Sequence, residues 1–463
     1  MVYVNIHSIN AHLIIINFLF NQISEIYQIN QFINHQKKQT NKQIDKQIDR
    51  QIDKNKYLKI QFSHKLQMEE RMNENIVKLY YFTSLYRPRI HFTIGSSYLK
   101  SDEEALHWDQ YIMKKSSCRT DVYEQDFILE QDQYLEFVFC SDNQDESKVK
   151  WENPRFDTKQ SYTKGNNFLI DQTGVFAIYQ GYIVKVNQQK LPEKLVIFTD
   201  IDGTLYGDPH IHEAFKRFFI SNGLFCNTNL KLVYSTGRNL QSFKDLQRNV
   251  NLLFPDILVA SCGSDIYQLG TTQQEFENNP YTYNQSWVQY IIQDNWDLNA
   301  LYDFVKKEFP AAWPNVSEGV SQYKGSFLIT ERDSRQTDKL DILMKKAFVE
   351  LKQNWKYIIS GHGNHRFLDI LPERADKGSS LQFVCMNILQ TDYTKSAAFG
   401  DSLNDLDLLC CAGQGFIVAN AQKDLLDWFS FNQAKFQSIK VIPYCEGDAI
   451  AKYLQQILKA YSK

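Results

Sequence analysis

The segment Leu195-Val196-Ile197-Phe198-Thr199-Asp200-Ile201-Asp202-Gly203-Thr204-Leu205-Tyr206 decides how this chain is read. Its apolar run, Leu195 to Phe198, is too short for a helix and is bounded by turn chemistry. It therefore reads as a buried central strand. The strand delivers two carboxylates, Asp200 and Asp202, to its carboxyl end, where open α/β sheets bind ligands. Gly203 then lets the backbone turn sharply without a Cβ clash. Two acids separated by one residue repel unless something offsets them. A hard cation such as Mg²⁺ does so, and it prefers carboxylate and phosphate oxygens. A strand ending in an ordinary Asp-Gly turn is the plainer alternative.

Three later stretches add to this one. Leu232-Val233-Tyr234-Ser235-Thr236-Gly237-Arg238 is again an apolar run ending in hydroxyls and a glycine. Asp376-Lys377-Gly378 opens a helical pattern with a lysine in its first turn. Ala397 to Leu409 reads as a strand end followed by the acidic turn Gly400-Asp401-Ser402-Leu403-Asn404-Asp405. These four stretches resemble the haloacid dehalogenase-like phosphohydrolases. That family uses DxDGT, a Ser/Thr, a Lys and GDxxxD in the same order.

The sequence has 463 residues, room for two to four domains. Apolar content is 43% and charged content 23%, so ordinary cores are expected. A net charge of −3 provides no electrostatic footprint for nucleic acid or an anionic membrane. The eight cysteines show no CxxC or metal-ligand spacing and read as reduced thiols of a cytoplasmic protein.

Residues 1–70 are rich in Asn, Gln, Ile and Lys and carry a degenerate Gln-Ile-Asp repeat from Gln43 to Lys54. This composition suits disorder or a solvated helix. The apolar patch Leu13 to Phe20 is too short to span a membrane. It also lacks the basic flank and cleavage site of a signal peptide. Met68 and Met72 precede the first well-patterned strand and are candidate starts of the functional protein.

Between residues 75 and 185, Val77 to Phe82, Arg89 to Thr93, Tyr134 to Cys140 and Gly174 to Tyr179 read as strands separated by polar loops. Together they predict a small antiparallel β-sandwich. Tyr80-Tyr81, Ile90-His91-Phe92, Trp108 with Met113, Glu136 to Phe139, Trp151-Glu152-Asn153 and Asn166-Asn167-Phe168 resemble the starch-binding modules of carbohydrate-binding families 25 and 53. The loop from Asp142 to Val149 is longer and more charged than that pattern. The resemblance implies an α-glucan partner and makes His91, Trp108 and Trp151 its sugar platform. Flat rings suit the apolar faces of glucose. The alternative places both tryptophans in the core.

Residues 190–463 alternate short apolar runs with helical patterns: Leu195 to Phe198, Ile211 to Ser221, Lys231 to Tyr234, Leu240 to Val250 and Ile257 to Ala260. Such alternation predicts βαβ units and a parallel sheet. An inserted α/β cap of the type IIB class is expected over about residues 270–365. The core is expected to resume with Phe367 to Leu371, Lys377 to Leu389, Ser396 to Gly400 and a final helix from Gly447 to Ala460. Within the superfamily, Tyr234 to Arg238, Gly263 to Tyr267, Gln322-Tyr323-Lys324, Leu368 to Pro372 and Val418 to Gln422 with Trp428 resemble the sucrose-phosphate phosphatases. Gly361 to Arg366 departs from that group, as do Ile201 and Gly203, where those enzymes often carry Leu and Asn.

The resemblance implies a Mg²⁺-dependent sugar phosphatase. Asp200 would be the nucleophile that forms an aspartyl phosphate. Asp202 would protonate the leaving sugar oxygen and then activate water. Thr236 and Lys377 would bind the phosphoryl oxygens. Asp200, Asp401 and Asp405 would hold the metal together with Asp202, the last through its backbone carbonyl. Gln322 and Lys324 are candidate substrate contacts or a solvated pair on a cap strand. Arg238 reads as a structural partner. Each motif has its plain alternative: Asp401 and Asp405 as helix caps, Lys377 as a solvated lysine, Thr236-Gly237 as a turn. The competing function is a glucan-binding regulatory protein with an inactive phosphatase fold. Phosphotransfer to a sugar would use the same residues as hydrolysis.

Overall fold

The computed structural model describes residues 75–461 except 84, 86, 97–107, 143–147, 156–162, 165–166, 271, 293–295, 316–320 and 363–364. The readings of residues 1–70, of Met68 and Met72, of Asn166 and of most of the loop after Asp142 lie outside the described residues.

The first strands form two packed sheets. One has the order β11 (Tyr182–Lys185), β10 (Gly174–Tyr179), β1 (Ile76–Phe82), β5 (Val122–Ile128), β4 (Lys114–Lys115). The other has the order β3 (Asp109–Ile112), β2 (Arg89–Ser96), β6 (Gln133–Cys140), β9 (Asn167–Ile170), β8 (Thr163–Lys164), with β7 (Trp151–Glu152) also paired to β6. Alternate residues of β1, Val77, Leu79 and Tyr81, meet Ile90, Phe92, Phe137 and Phe139 in the sandwich core. The expected antiparallel sandwich is corrected at one pairing, since β1 and β10 run parallel. β10 comes last but one in the module and crosses back beside the first strand, so a hairpin does not constrain its direction.

The second face of the β1 sheet is covered around Tyr80, Val122, Ala177 and Tyr179, while Lys78 and Asp126 at its end stay in contact with solvent. Tyr80, Val122, Ala177 and Tyr179 belong to the same buried cluster as Phe225, Phe219 and Leu232 of the following domain. A sheet covered on both faces explains why β1 and β10 read as nearly continuous apolar runs. Polar contacts reinforce the seam. Arg119 is paired with Asp121 at 2.7 Å and donates from Nη2 to the Phe254 carbonyl at 2.7 Å. Thr120 Oγ1 donates to the Gly270 carbonyl at 2.6 Å. Cys118 and Cys226 form a disulfide across the same seam, their Cα atoms 5.2 Å apart. This corrects the reading of all eight cysteines as reduced. The partners are 108 residues apart in sequence and meet only because the sandwich packs on the α/β domain.

That domain starts with β12 (Leu195–Thr199), α1 (Pro209–Ser221), β13 (Leu230–Ser235), α2 (Leu240–Val250) and β14 (Ile257–Ala260). β15 (Asp265–Leu269) and β16 (Tyr281–Tyr283) follow, with α3 (Gln273–Asn278) between them and α4 (Gln285–Ile291) after. α1 begins as its sequence dictates: Asp208 accepts from the His210 amide and Pro209 fills the first turn. The insertion comprises α5 (Leu298–Glu308), β17 (Trp313–Pro314), β18 (Gly325–Ile329), α6 (Glu331–Ser334), α7 (Thr337–Leu351), β19 (Trp355–His362) and β20 (His365–Pro372). α8 (Lys377–Phe383), β21 (Ser396–Gly400), α9 (Leu406–Cys411), β22 (Gln414–Ile417), α10 (Lys423–Asn432), β23 (Ile439–Val441) and α11 (Glu446–Tyr461) complete the domain.

Among the described residues the large sheet has eight strands in the order β16-β15-β14-β13-β12-β21-β22-β23, all running the same way except β15, which is antiparallel to both its neighbours. The strand order reverses at β12, which lies between β13 and β21. The Asp200 strand is thus at the switch point where such sheets open a binding crevice. The inserted sheet has the order β17-β18-β20-β19. Two boundaries differ from those expected. β16 pairs into the large sheet, so residues 270 to 283 are not part of the inserted sheet. Phe367 to Leu371 lies in β20 of the inserted sheet instead of the core. An amphipathic strand reads the same whichever sheet receives it, so periodicity could not assign it. No helix among the described residues is long and apolar enough to cross a membrane.

Candidate active site

The crevice is built from strand ends. Asp200 follows β12, and its amide donates to the Phe399 carbonyl of β21 at 3.1 Å, which locks the two acidic turns together. Gly203, at φ 84°, passes so close to Asp401 that a Cβ here would lie 2.7 Å from Oδ2. The φ and the contact both demand glycine. Beside it, Thr204 donates from Oγ1 to Asp401 Oδ1 at 3.1 Å. Asn420 donates from Nδ2 to the Gly203 carbonyl at 2.7 Å and fixes the turn from the far side.

Asp200, Asp401 and Asp405 come together, each offering one carboxylate oxygen within 4.8 Å of the others. All three are buried, Asp405 fully. Lys377 Nζ donates to Asp200 Oδ1 at 2.7 Å and to Asp405 Oδ1 at 2.6 Å. Lys377 is itself 1% exposed, which removes the solvated-lysine alternative. Asp405 Oδ2 accepts from the amides of Asp401 and Ser402 at 3.1 Å each, so this residue caps the turn and also faces the lysine.

Three carboxylates and one ammonium leave a formal charge of −2 in a buried space. Burial, opposed by Lys377, and then the charges of Asp405, Asp401 and Asp202 hold the Asp200 pKa well above the usual carboxylate range. Burial and the Asp405 charge push Asp401 up to about 7. Burial pulls the Lys377 pKa down, but Asp200 and Asp405 more than offset this. A buried all-oxygen donor set with uncompensated negative charge fits a hard divalent cation.

Asp202 does not join this cluster by its side chain. Arg238 grips its carboxylate, Nε donating to Oδ2 at 2.8 Å and Nη2 to Oδ1 at 2.7 Å. The side chain is thus engaged away from the acid cluster, and the metal ligand expected of Asp202 is its backbone carbonyl. Arg238 also donates from Nη1 to Ser242 Oγ at 3.0 Å. Thr236 follows β13, the strand next to Asp200, and is buried, its Oγ1 accepting from the Arg238 amide at 3.1 Å.

The inserted domain meets this crevice at Lys324. Its Nζ donates to the Gly237 carbonyl at 3.1 Å and lies 3.5 Å from Asp369. Lys324 is buried, so a solvated pair is not what the structure shows; Gln322 is exposed, and its carbonyl accepts from Trp296 Nε1 at 2.8 Å. Asp369 also accepts from Ser326 Oγ at 2.6 Å and from the Cys262 thiol at 3.3 Å. Burial and Asp369 push that thiol up to about 12, opposed by Lys324 and Lys377. Sequence reasoning gave no site role to Asp369, Cys262, Thr204 or Asn420. Asp369, Asn420 and Thr204, the last closing the DxDGT motif, lay within motifs already noted; Cys262 shows its contacts only after folding.

On the sandwich, Trp151 is 54% exposed and Trp108 37% exposed, so neither is a core residue. His91 of β2 packs beside Trp151, ring centroids 5.0 Å apart. Trp108 immediately precedes β3, whose Gln110 pairs with His91.

A parallel sheet whose switch-point strand carries paired acids, a buried lysine from α8, an acidic turn after β21 and an inserted α/β cap define a haloacid dehalogenase-like phosphohydrolase. The chain belongs to the sucrose-6F-phosphate phosphohydrolase family, whose model matches residues 193–454, more than half of its length. Probable sucrose-phosphatase 2 of Arabidopsis thaliana is 29% identical over 250 residues, covering 52% of this chain and 54% of that one. Sucrose-phosphatase 2 of Nicotiana tabacum is 30% identical over 247 residues, covering 52% and 53%. The chain thus spans about half the length of the curated relatives it matches. The sucrose-phosphatase of Synechocystis sp. PCC6803, solved with sucrose and phosphate, is 25% identical, with a TM-score of 0.48 over 57% of this chain and 98% of that one.

Proposed function

We propose that the chain is a Mg²⁺-dependent phosphatase of a sugar phosphate, a sucrose 6-phosphate-like disaccharide or a hexose phosphate. The observation that carries this reading is Lys377 buried between Asp200 and Asp405, with Asp401 beside them. Asp200, Asp401 and Asp405 would hold the cation, with the backbone carbonyl of Asp202. When bound, Mg²⁺ screens the repulsion between carboxylate nucleophile and phosphate dianion.

Asp200 attacks phosphorus, the bond to the sugar oxygen breaks, and an aspartyl phosphate forms. Asp202 gives a proton to the departing sugar oxygen. It takes one back from the water that hydrolyses the aspartyl phosphate. Lys377 and Thr236 hold phosphoryl oxygens as charge shifts onto them. The cap, seated through Lys324, limits water around the phosphate and favours small soluble substrates over a polymer.

The sandwich is a glucan tether in this reading, with Trp151 and His91 as its stacking surface and Trp108 beside them. The cytoplasmic placement rests on the six free thiols and stands against the Cys118–Cys226 disulfide. The mass of unreduced, alkylated protein from cells decides it: eight alkylated thiols support the cytoplasm, six oppose it.

Phosphate release with Mg²⁺ over sucrose 6-phosphate, trehalose 6-phosphate, glucose phosphates and phosphorylated glucan tests the activity. Release from a sugar phosphate that Asp200→Asn abolishes supports the reading. No release from any, with retention on starch that Trp151→Ala weakens, would favour the regulatory glucan binder.

A further inference from the structure

The loop Thr236-Gly237-Arg238 touches two things at once. On one side Gly237 offers its carbonyl to Lys324 of the cap at 3.1 Å. On the other, the next residue, Arg238, holds both oxygens of Asp202. The loop is stiff between these contacts. The Thr236 carbonyl accepts from the Cys262 amide at 3.0 Å, and the Arg238 carbonyl accepts from the Ser261 amide at 2.8 Å. Thr236 Oγ1 accepts from the Arg238 amide, and Ser242 Oγ accepts from the guanidinium. Cys262 is also tied to the cap, through Asp369.

The geometry points to a relay in which the seated cap, through Lys324 and the Gly237 carbonyl, sets Arg238, and Arg238 positions the acid Asp202. The relay rests on the phosphatase reading above, and it assigns Lys324 and Arg238 as positioning residues. A planar guanidinium donating twice fixes the plane of a carboxylate in a way that a lysine cannot. Each Asp202 oxygen spends one lone pair on Arg238 and keeps another for proton exchange. The Asp202 side chain is half exposed despite the clasp. A cap that must dock on Gly237 to complete the clasp would couple substrate enclosure to readiness of the acid. Water entering an open crevice would then meet a poorly aligned Asp202.

The test compares a sugar phosphate with p-nitrophenyl phosphate. A sugar oxygen needs a proton as it leaves, whereas p-nitrophenolate leaves well without one. Misplacing Asp202 therefore costs the first substrate more than the second. General acid catalysis contributes about 10² to 10⁴-fold, and part of that is at stake. Arg238→Gln and Lys324→Met should each lower the ratio of sugar to aryl kcat/KM, which reports the leaving-group step without the shared hydrolysis of the aspartyl phosphate, by roughly tenfold or more. The ratio is independent of how much enzyme folds. Arg238→Lys, which keeps the charge and loses the fork, should fall between wild type and Arg238→Gln. The double variant Arg238→Gln/Lys324→Met should be little worse than Arg238→Gln alone, because residues acting in series are not additive.

Multiplying losses in the double variant would overturn the relay. So would equal losses on both substrates, or a Lys324→Met effect confined to KM, which would make Lys324 a substrate contact. A wild type active on sugar phosphate with unchanged ratios in the variants removes the relay alone. A wild type active on neither substrate removes the phosphatase reading and the relay with it.

Discussion

Lys377 Nζ lies 2.7 Å from Asp200 Oδ1, and the lysine side chain is wholly out of contact with solvent. The pair spans 177 residues of sequence and joins α8 to the end of β12. A buried ion pair of this kind is costly to break, because the partner left behind is an uncompensated charge. Lys377→Met should therefore destabilise the cation-free protein by about 3 to 5 kcal/mol. It should also lower kcat by roughly 10² to 10³-fold through loss of a phosphoryl-oxygen donor. Melting curves with and without Mg²⁺, alongside steady-state rates, check both effects. The cation should recover part of the stability and little of the rate.

A second expectation concerns pH. Asp401 is held up to about 7 in the folded protein, against about 4 for an exposed aspartate. A raised carboxyl pKa means the folded state binds the proton more tightly than the unfolded state. Its contribution is fully present below pH 4 and is lost as pH rises to 7. The cation-free protein should lose melting temperature through that window, and Mg²⁺ should return it. Asp401→Asn cannot ionise, so it should melt above wild type at pH 7.5 without cation and gain little from Mg²⁺. A wild type whose melting is the same at pH 4 and 7 without cation would show that the carboxylates are compensated otherwise.

The seam between sandwich and phosphohydrolase domain carries a third. Arg119 is buried on the phosphohydrolase surface, bonded to the Phe254 carbonyl and facing Asp121 and Asp256. Tyr80 and Phe82 pack edge-on against Phe225 across the same seam. One shared core predicts one calorimetric transition for the two domains. Arg119→Ala should lower its midpoint, by the roughly 3 to 5 kcal/mol that stripping one partner from buried carboxylates costs. Two separated transitions in the wild type would show that the seam contributes little.

The runs Leu195 to Phe198 and Ser396 to Gly400 were legible as strands because they are short, apolar and stopped by Asp or Gly. Their acids were legible because spacing along a strand end survives folding. The cap boundary was not legible, since β16 and β20 carry no mark of which sheet will pair them. Lys324 read equally well as solvated because its burial comes from docking on Gly237, 87 residues away. The Arg238 clasp on Asp202 spans 36 residues and has no local signature. The disulfide joins two loops that only the packed sandwich brings near. In each case the missing information is tertiary contact, which neither periodicity nor turn chemistry encodes.

The central expectation is that Asp200 is the group that takes the phosphoryl. Rapid quenching during turnover of a phosphoryl-labelled sugar phosphate, followed by peptide mapping, tests this directly. Label should sit on the peptide containing Asp200, should disappear in a chase with unlabelled substrate, and should be absent from Asp200→Asn. Phosphate release by Asp200→Asn at the wild-type rate, with no labelled peptide in either protein, would contradict it.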